Sequence, residues 1–304
     1  MTSLAPGLDY VDLNFLGRPE IIATGILEAP TGVALVDPGP STSLDTLRAA
    51  LKQKGIAISD VRQVLLTHIH LDHAGATGTL VAENPLIDVF VHERGATHMI
   101  DPSKLLSSAS RLYGADMGRL WGEFLPVPAT RVKVLKGGEQ IVVAGRSLEV
   151  AYTPGHASHH VSYFDPSSGV AFVGDTAGIR RGTAAYVMPP TPPPDIDLPL
   201  WRTSVHRILA WQPTTLFLTH FGAFGGASAH LEELLNQLDT WSVLARRLLA
   251  DGSLDDGQRE RMFVEAVLVE LRRIVGEQEA DMYGRAGRID YSWQGLSRYL
   301  RKHG

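Results

Sequence analysis

Four short apolar runs in this sequence each lead to a histidine or an aspartate. "RQVLLT" runs into His68, "SLEVAYT" passes through Pro154 and Gly155 to His156, "GVAFVG" ends on Asp175 and "TTLFLT" on His220. Short continuous apolar runs bounded by turn signals read as strands buried on both faces. One polar residue after a strand is ordinary, but four such residues that all carry metal-ligand side chains exceed what turn chemistry requires. The densest of these places is "THIHLDHAG", Thr67 to Gly75, which holds His68, His70, Asp72 and His73 within six positions. In a loop, the H-x-H-x-D-H spacing can aim two pairs of side chains at two neighbouring points, and Gly75 lets the chain turn away afterwards. The chain has no cysteine, so a metal held here must use nitrogen and oxygen ligands.

The rest of the chain reads as a frame for those ends. "EIIATGILEA" and "GVALVDPG" flank a Pro-Thr-Gly turn and predict a hairpin. "STSLDTLRAALKQKG" predicts a helix with Leu44, Leu47 and Leu51 on one face, Ser41 or Ser43 as its cap and Gly55 as its end. Residues 101 to 128 read as helix and loop. The pieces "RVKVL", "QIVVAG", "SLEVAYT", "HVSYF" and "GVAFVGD" then predict a second sheet. "PLWRTSVHRILAWQ" is helical, with Asp195 and Asp197 expected to cap it, and from about Ser228 the pattern is helical throughout. "MPPTPPPD", Met188 to Asp195, favours extended polyproline geometry. With 304 residues, 44% of them hydrophobic, the chain is large enough for a sizeable core. A net charge of −5 without a long basic run argues against a nucleic-acid partner. No segment is long and apolar enough to cross a bilayer, and "MTSLAPGLDY" lacks the pattern of a signal peptide, so a cytoplasmic location without a membrane partner is the expectation.

In their order, "VDPG", "THIHLDHAG", "TPGHASHH", "GDT" and "THFG" resemble the motifs of the metallo-β-lactamase-fold hydrolases, over about residues 10 to 225. The resemblance implies an αββα four-layer sandwich of two mixed sheets as a catalytic domain over residues 1–227. The remaining 228–304 is expected as a helical C-terminal extension packed on it. The resemblance also implies two divalent cations, zinc by default, with iron or manganese as alternatives. His68, His70 and His156 would bind the first, Asp72, His73 and His220 the second, and Asp175 would bridge them. Asp37 and His160 would orient the ligands without binding metal. The alternative for Asp37 is a plain turn aspartate. His159 reads as surface, and His92, His98, His206, His230 and His303 have no motif context.

The bridging aspartate and the missing cysteine set the chain closer to lactonase-like and glyoxalase II-like relatives than to true β-lactamases. The expected chemistry is attack of a metal-held hydroxide on an ester, lactone or thioester carbonyl of a small-molecule substrate, with Asp72 accepting or relaying the proton. The alternatives are a small-molecule phosphodiesterase, a mononuclear iron persulfide dioxygenase, and a binding protein with a degenerate site. The proline segment 188–194 is expected at the mouth, as a pocket wall or as a plain connector. Tyr113, Met117, Trp121 and Phe124 are expected in the core, or else in a lid. The pairs Arg246–Arg247 and Arg272–Arg273 and the basic "RYLRKHG" end read as solvated helix faces, the sharper alternative being an anion pocket. A homodimer is the expectation only because closed symmetric dimers are common.

Overall fold

The computed structural model describes residues 1–303. Its first sheet is β1 (Thr2–Ala5), β2 (Leu8–Asp12), β3 (Ala23–Ala29), β4 (Gly32–Val36), β5 (Val61–Leu65), β6 (Asp88–His92) and β7 (Val132–Leu135), in that spatial order. β1 to β4 pair antiparallel and β4 to β7 parallel. The second sheet contains β8 (Gln140–Val143), β9 (Arg146–Tyr152), β10 (Val161–Asp165), β11 (Val170–Phe172), β12 (Thr215–Leu218) and β13 (Gly222–Gly225), in the order β13-β12-β11-β10-β9-β8. Only its β11–β12 pair is parallel.

The strand pleat sorts side chains into layers. Along β4, Ala34 and Val36 face the other sheet, while Val33 and Leu35 face the opposite way. Along β11 and β12, Val170, Phe172 and Phe217 face inward, and Ala171, Leu216 and Leu218 outward. This period of two lets a continuous apolar run serve two cores at once. The outer core of the first sheet is closed by α1 (Leu44–Gln53), α3 (Thr77–Glu83) and α4 (Glu93–Ile100), through Leu47, Leu51, Leu80 and Met99. The short α2 (Leu71–Ala74) lies between α1 and α3 in the chain. The outer core of the second sheet is closed by α7 (Leu198–Ala210) and α8 (Ala227–Ala250), through Trp201, Val205, Leu231 and Leu234. The result is the four-layer αββα sandwich.

α5 (Ser103–Tyr113) and α6 (Met117–Trp121) fill the crossover from β6 to β7. α9 (Asp256–Val275), α10 (Glu277–Gly287) and α11 (Ile289–His303) follow α8. Their shared core includes Trp241, Phe263, Tyr283 and Trp293, and it takes in Ile179, Tyr186 and Met188 from the loop after β11. Among the described residues no helix is long and apolar enough to cross a membrane.

Several local expectations change. "RVKVL" joins the first sheet as β7, because the crossover returns it parallel to β6. β1, β2 and β13 carry too little apolar signal to stand out in the sequence: two aspartates sit in "LDYVD" and two glycines bound "GAFG". Neither Ser41 nor Ser43 caps α1; Ser41 Oγ instead reaches the Gly75 carbonyl at 3.1 Å. Asp197 does cap α7, accepting from the Leu200 amide at 2.9 Å. Asp195 instead accepts from the Ser158 amide at 2.9 Å, which ties the proline segment to the loop after His156.

Candidate metal centre

Strand direction brings the chemistry together. β4 and β5 run parallel, so Asp37 and His68 leave the first sheet at one edge. β9 and β11 are both antiparallel to β10, and β12 is parallel to β11, so His156, Asp175 and His220 leave the second sheet at one edge. The two edges face each other, and all seven histidines and aspartates of the motifs converge. Three overlapping groups result: His68, His70 and His156; His68, His73 and Asp175; and Asp72, His73 and His220.

Hydrogen bonds fix which ring nitrogen of each histidine faces inward. A carbonyl oxygen can only accept, so His156 Nδ1 donates to the Pro190 carbonyl (2.8 Å) and His220 Nδ1 to the Ile21 carbonyl (2.6 Å). His73 Nδ1 donates to Asp37 Oδ2 (2.8 Å). Thr67 Oγ1 spends its proton on Asp37 Oδ2 (2.7 Å) and so accepts from His68 Nδ1 (3.1 Å). All four rings therefore present Nε2 to the site, while His70 presents Nδ1, which lies 2.9 Å from His68 Nε2 and 3.0 Å from His156 Nε2.

Three inward nitrogens so close cannot all be donors, and their lone pairs repel. Bonds of 2.0–2.1 Å to one tetrahedral cation would space them roughly 3.3 Å apart, close to what is found. Asp175 lies between the groups, with Oδ2 3.4 Å from His156 Nε2 and Oδ1 3.3 Å from His73 Nε2. Neither His73 Nε2 nor Asp175 Oδ1 makes a hydrogen bond, although both are buried. Asp72 Oδ2 completes the second group, 3.3 Å from His220 Nε2 and 3.9 Å from His73 Nε2. Orphaned buried donors and acceptors that point at common centres fit resident cations.

The electrostatics divide the cluster. Burial, and then the neighbouring imidazoles, hold His68 well below its usual range; burial and His156 push His70 down to about 4; burial lowers His156. Burial also opposes a charge on His73, but Asp175, Asp37 and Asp72 outweigh it and raise it well above its ordinary value. His220 is raised against burial by Asp175 and Asp72. Burial opposes ionisation of Asp72 too, yet His73 and His220 bring it down to about 2. Asp175 is likewise held well below its usual range by His73, His220 and His156. One side of the site is thus a neutral nitrogen triad, and the other holds two ionised carboxylates that demand positive charge.

Asp37 is fully buried, and its residue adopts a left-handed backbone (φ 50°), which aspartate tolerates better than most side chains. Its carboxylate accepts from the Thr67 amide (2.8 Å), Thr67 Oγ1, His73 Nδ1 and Thr219 Oγ1 (2.8 Å), joining the ends of β4, β5 and β12. His160 is also fully buried; its Nδ1 lies 2.9 Å from Thr153 Oγ1, and its ring packs behind His68 at 5.1 Å between centroids. Gly174 holds the chain beside it at φ 45°; a Cβ there would lie 2.5 Å from Thr67 Oγ1 and 2.7 Å from His160 Nε2. Only glycine lets Asp175 follow so closely.

His159 is not a surface residue. It lines the cavity, nearly parallel to His68 with 6.1 Å between centroids, and burial followed by His70 and His156 holds its ring neutral. Three histidines within the five residues of "HASHH" could not all turn outward from one tight loop, and that crowding was the signal for it. His98 also lines the cavity, whereas His92 caps α4 and His230 bonds the Ala177 carbonyl. The backbone partners Ile21 and Pro190 had no sequence signal.

The cluster floors a cavity of about 780 Å³. Tyr113, Leu105 and Trp121 from the α5–α6 crossover form one wall, and Pro190, Pro192, Pro193 and Pro194 another. Met117 and Phe124 belong instead to the core beneath. The arginine pairs of α8 and α9 lie elsewhere; Arg272 and Arg273 pair with Glu277 and Glu270. Arg298, the first residue of the basic end, does reach the cavity.

A family model described as the metallo-beta-lactamase superfamily matches residues 17–220. The metallo-beta-lactamase fold-containing protein ST1585 of Sulfurisphaera tokodaii is 26% identical over 76% of this chain and 85% of its own. A hydroxyacylglutathione hydrolase of Aeromonas hydrophila is 32% identical over 50% of this chain, and that match spans 48% of the hydrolase. The metallo-beta-lactamase family protein TTHA1429 of Thermus thermophilus superposes with a TM-score of 0.70 and 24% identity, over 99% of this chain and 95% of that one.

Proposed function

The chain belongs to the metallo-beta-lactamase superfamily, and on that premise we propose that it is a dinuclear metal-dependent hydrolase of a small-molecule ester, lactone or thioester. The observation that carries this reading is the disposition of Asp175, with one oxygen toward His156 and the other toward His73, between two otherwise complete ligand groups. His68, His70 and His156 would hold one divalent cation and Asp72, His73 and His220 the other, with Asp175 shared. Imidazole and carboxylate donors suit zinc first and accommodate iron or manganese. Such a pair supplies Lewis acidity and a water that ionises near neutral pH.

The protein's own groups do the rest. Asp37, Thr67 and the Pro190 and Ile21 carbonyls fix the ring orientations, so the donor atoms need no rearrangement. Asp72 is ionised and borders the cavity, so its carboxylate can accept a hydrogen bond from the attacking water and relay its proton. The aromatic wall around Tyr113 and Trp121 limits water at the reacting carbonyl. Among carbonyl substrates, the curated relatives named hydroxyacylglutathione hydrolase make an acyl thioester the first to assay.

The test joins elemental analysis to a panel of a lactone, a thioester, an aryl phosphodiester and a β-lactam. About two metal ions per chain, carbonyl hydrolysis, and its loss in His68→Ala and Asp175→Ala are the expected results. Oxygen consumption with a single iron, or phosphodiester cleavage alone, would defeat the proposal. An Asp72→Asn variant with both metals and full turnover would remove Asp72 from the proton path.

A further inference from the structure

The mouth of the cavity carries charge that the metal chemistry does not use. Beyond the metal cluster its walls present Arg94, Lys104, Arg111, Arg285, Arg288 and Arg298, against the single carboxylate of Asp195. The whole chain has 33 acidic and 28 basic residues, so this local excess runs against the overall charge. Two of the six are already paired, Arg285 with Asp281 at 2.7 Å and Arg288 with Asp290 at 2.6 Å. Among the described residues, Arg94, Lys104, Arg111 and Arg298 have no carboxylate within ion-pair distance, and Asp195 is engaged by the Ser158 amide.

These cations come from three elements. Arg94 starts α4. Lys104 and Arg111 stand seven residues apart on α5, two turns along one face and about 10 Å apart in rise. Arg298 stands seven residues after Tyr291 on one face of α11. α11 and α5 meet where Tyr291 Oη donates to the Leu112 carbonyl at 3.1 Å and the Tyr113 and Tyr291 rings meet edge to face at 5.6 Å. Phe15, Ile69, Leu105, Leu112 and Trp121 give the same cavity apolar walls, with Phe15 stacked on Trp121 at 5.6 Å. The cavity lining therefore combines a buried candidate metal cluster, apolar walls and a rim of exposed cations.

We infer that the substrate is an amphiphilic acyl compound with an anionic group remote from the reacting carbonyl, bound at the rim by Arg94, Lys104, Arg111 and Arg298. The inference rests on the hydrolase reading for the carbonyl and on the rim for the anion. A fixed cluster of like charge at a cleft mouth raises both capture rate and affinity for the opposite charge. Carboxylate and phosphate share that chemistry.

The experiment compares three thioesters on the metal-loaded protein: butyryl-N-acetylcysteamine, which is neutral; succinyl-N-acetylcysteamine, with a carboxylate; and butyryl-coenzyme A, with phosphates. At low ionic strength, kcat/KM for an anionic thioester should exceed that for the neutral one by about tenfold or more. The preferred member of the pair tells carboxylate from phosphate. The preference should shrink with added salt and fall below about threefold in an Arg111→Ser/Arg298→Ser variant. The ratio is read within one preparation, so a general loss of activity does not imitate the result. Equal kcat/KM for all three, or a preference that survives both salt and the double substitution, would overturn the inference. If no thioester, ester or lactone is turned over, the hydrolase reading fails, and calorimetry of succinate and desulfo-coenzyme A still decides the rim. Binding that the double substitution abolishes supports it, and no binding at millimolar ligand overturns it.

Discussion

Removing the Asp37 carboxylate would strand four buried donors, the Thr67 amide and hydroxyl, the His73 ring and the Thr219 hydroxyl. Unsatisfied buried donors cost about 1–3 kcal/mol each before relaxation, so Asp37→Ala should destabilise the protein by roughly 3–5 kcal/mol in a denaturant titration. It should also weaken metal binding about 10–100-fold, because the His73 ring loses its orientation; unchanged metal affinity would show that Asp37 serves the fold alone. A second prediction at this scale concerns pH. His73 and His220 are raised by Asp175 and their neighbours, so a cation at their group must displace protons, and its affinity falls as pH drops below those raised values. His68, His70 and His156 are all lowered, His70 to about 4, so protons compete for that group only at a lower pH than for the other. Acidification from pH 8 should therefore take metal content from two to one before it reaches zero, and His220→Ala should retain only the acid-resistant equivalent. Simultaneous loss of both metals would contradict this division. Residues of this kind were legible because side-chain identity carries their chemistry. The Pro190 and Ile21 carbonyls were not, since every residue has a carbonyl and only the fold selects which one faces a histidine.

At the scale of elements, the proline segment and α11 act as one support. Thr191 bonds Ser292 of α11 through its amide (3.3 Å) and its hydroxyl (3.2 Å), and the neighbouring Pro190 carbonyl holds His156. Gly295 allows the contact, because a Cβ there would fall 2.0 Å from the Thr191 carbonyl oxygen and 2.8 Å from the Pro192 carbonyl carbon. Gly→Ala in a helix interior ordinarily stabilises by about 1 kcal/mol. Here Gly295→Ala should do the reverse, costing roughly 1–3 kcal/mol through the forced shift and loosening the metal held by His156. Thermal melts and metal titration would show both effects, and a stabilised variant with unchanged metal affinity would refute the coupling. The sequence marked the proline run as stiff and placed it between Asp175 and His220. It could not give the run a packing partner a hundred residues away, because a glycine inside an amphipathic helix looks like a defect until its neighbour is known. The most legible strands, β5, β11 and β12, are those whose continuous apolar runs serve two cores. β1, β2 and β13 went unseen because they lie at or next to a sheet edge, where pairing needs little apolar content.

For the whole molecule, the candidate ligand groups lie at the seam of the sandwich. His68, His70, Asp72 and His73 come from the first sheet's side, and His156, Asp175 and His220 from the second. Buried hydrogen bonds already cross that seam, from Thr219 to Asp37, from the Val161 amide to the Thr67 carbonyl and from Tyr163 Oη to the Leu66 carbonyl, and bound cations would add to them and to the apolar contact between the sheets. A ligand present at about a thousand times its Kd stabilises the folded state by about 4 kcal/mol. For a chain of this size such a loss lowers Tm on the order of 10 °C, which chelation followed by calorimetry would measure. The helices from Ala227 onward should melt in the same transition. Leu231, Leu234 and Leu238 of α8 share a core with Ala171 and Leu216 of the second sheet, and Met188 and Ile179 are buried among Phe263, Tyr283 and Leu296. A separable helical appendage would bury its apolar face within itself, whereas this one buries it against the sheet and the loop that carries the His156 support. Tryptophan fluorescence and far-ultraviolet circular dichroism should therefore report one midpoint, in the metal-loaded and the chelated protein alike. Two resolved transitions, with the helical signal persisting after the sheet signal is lost, would mean that the helices fold by themselves and that α11 holds the proline segment as a docked domain would.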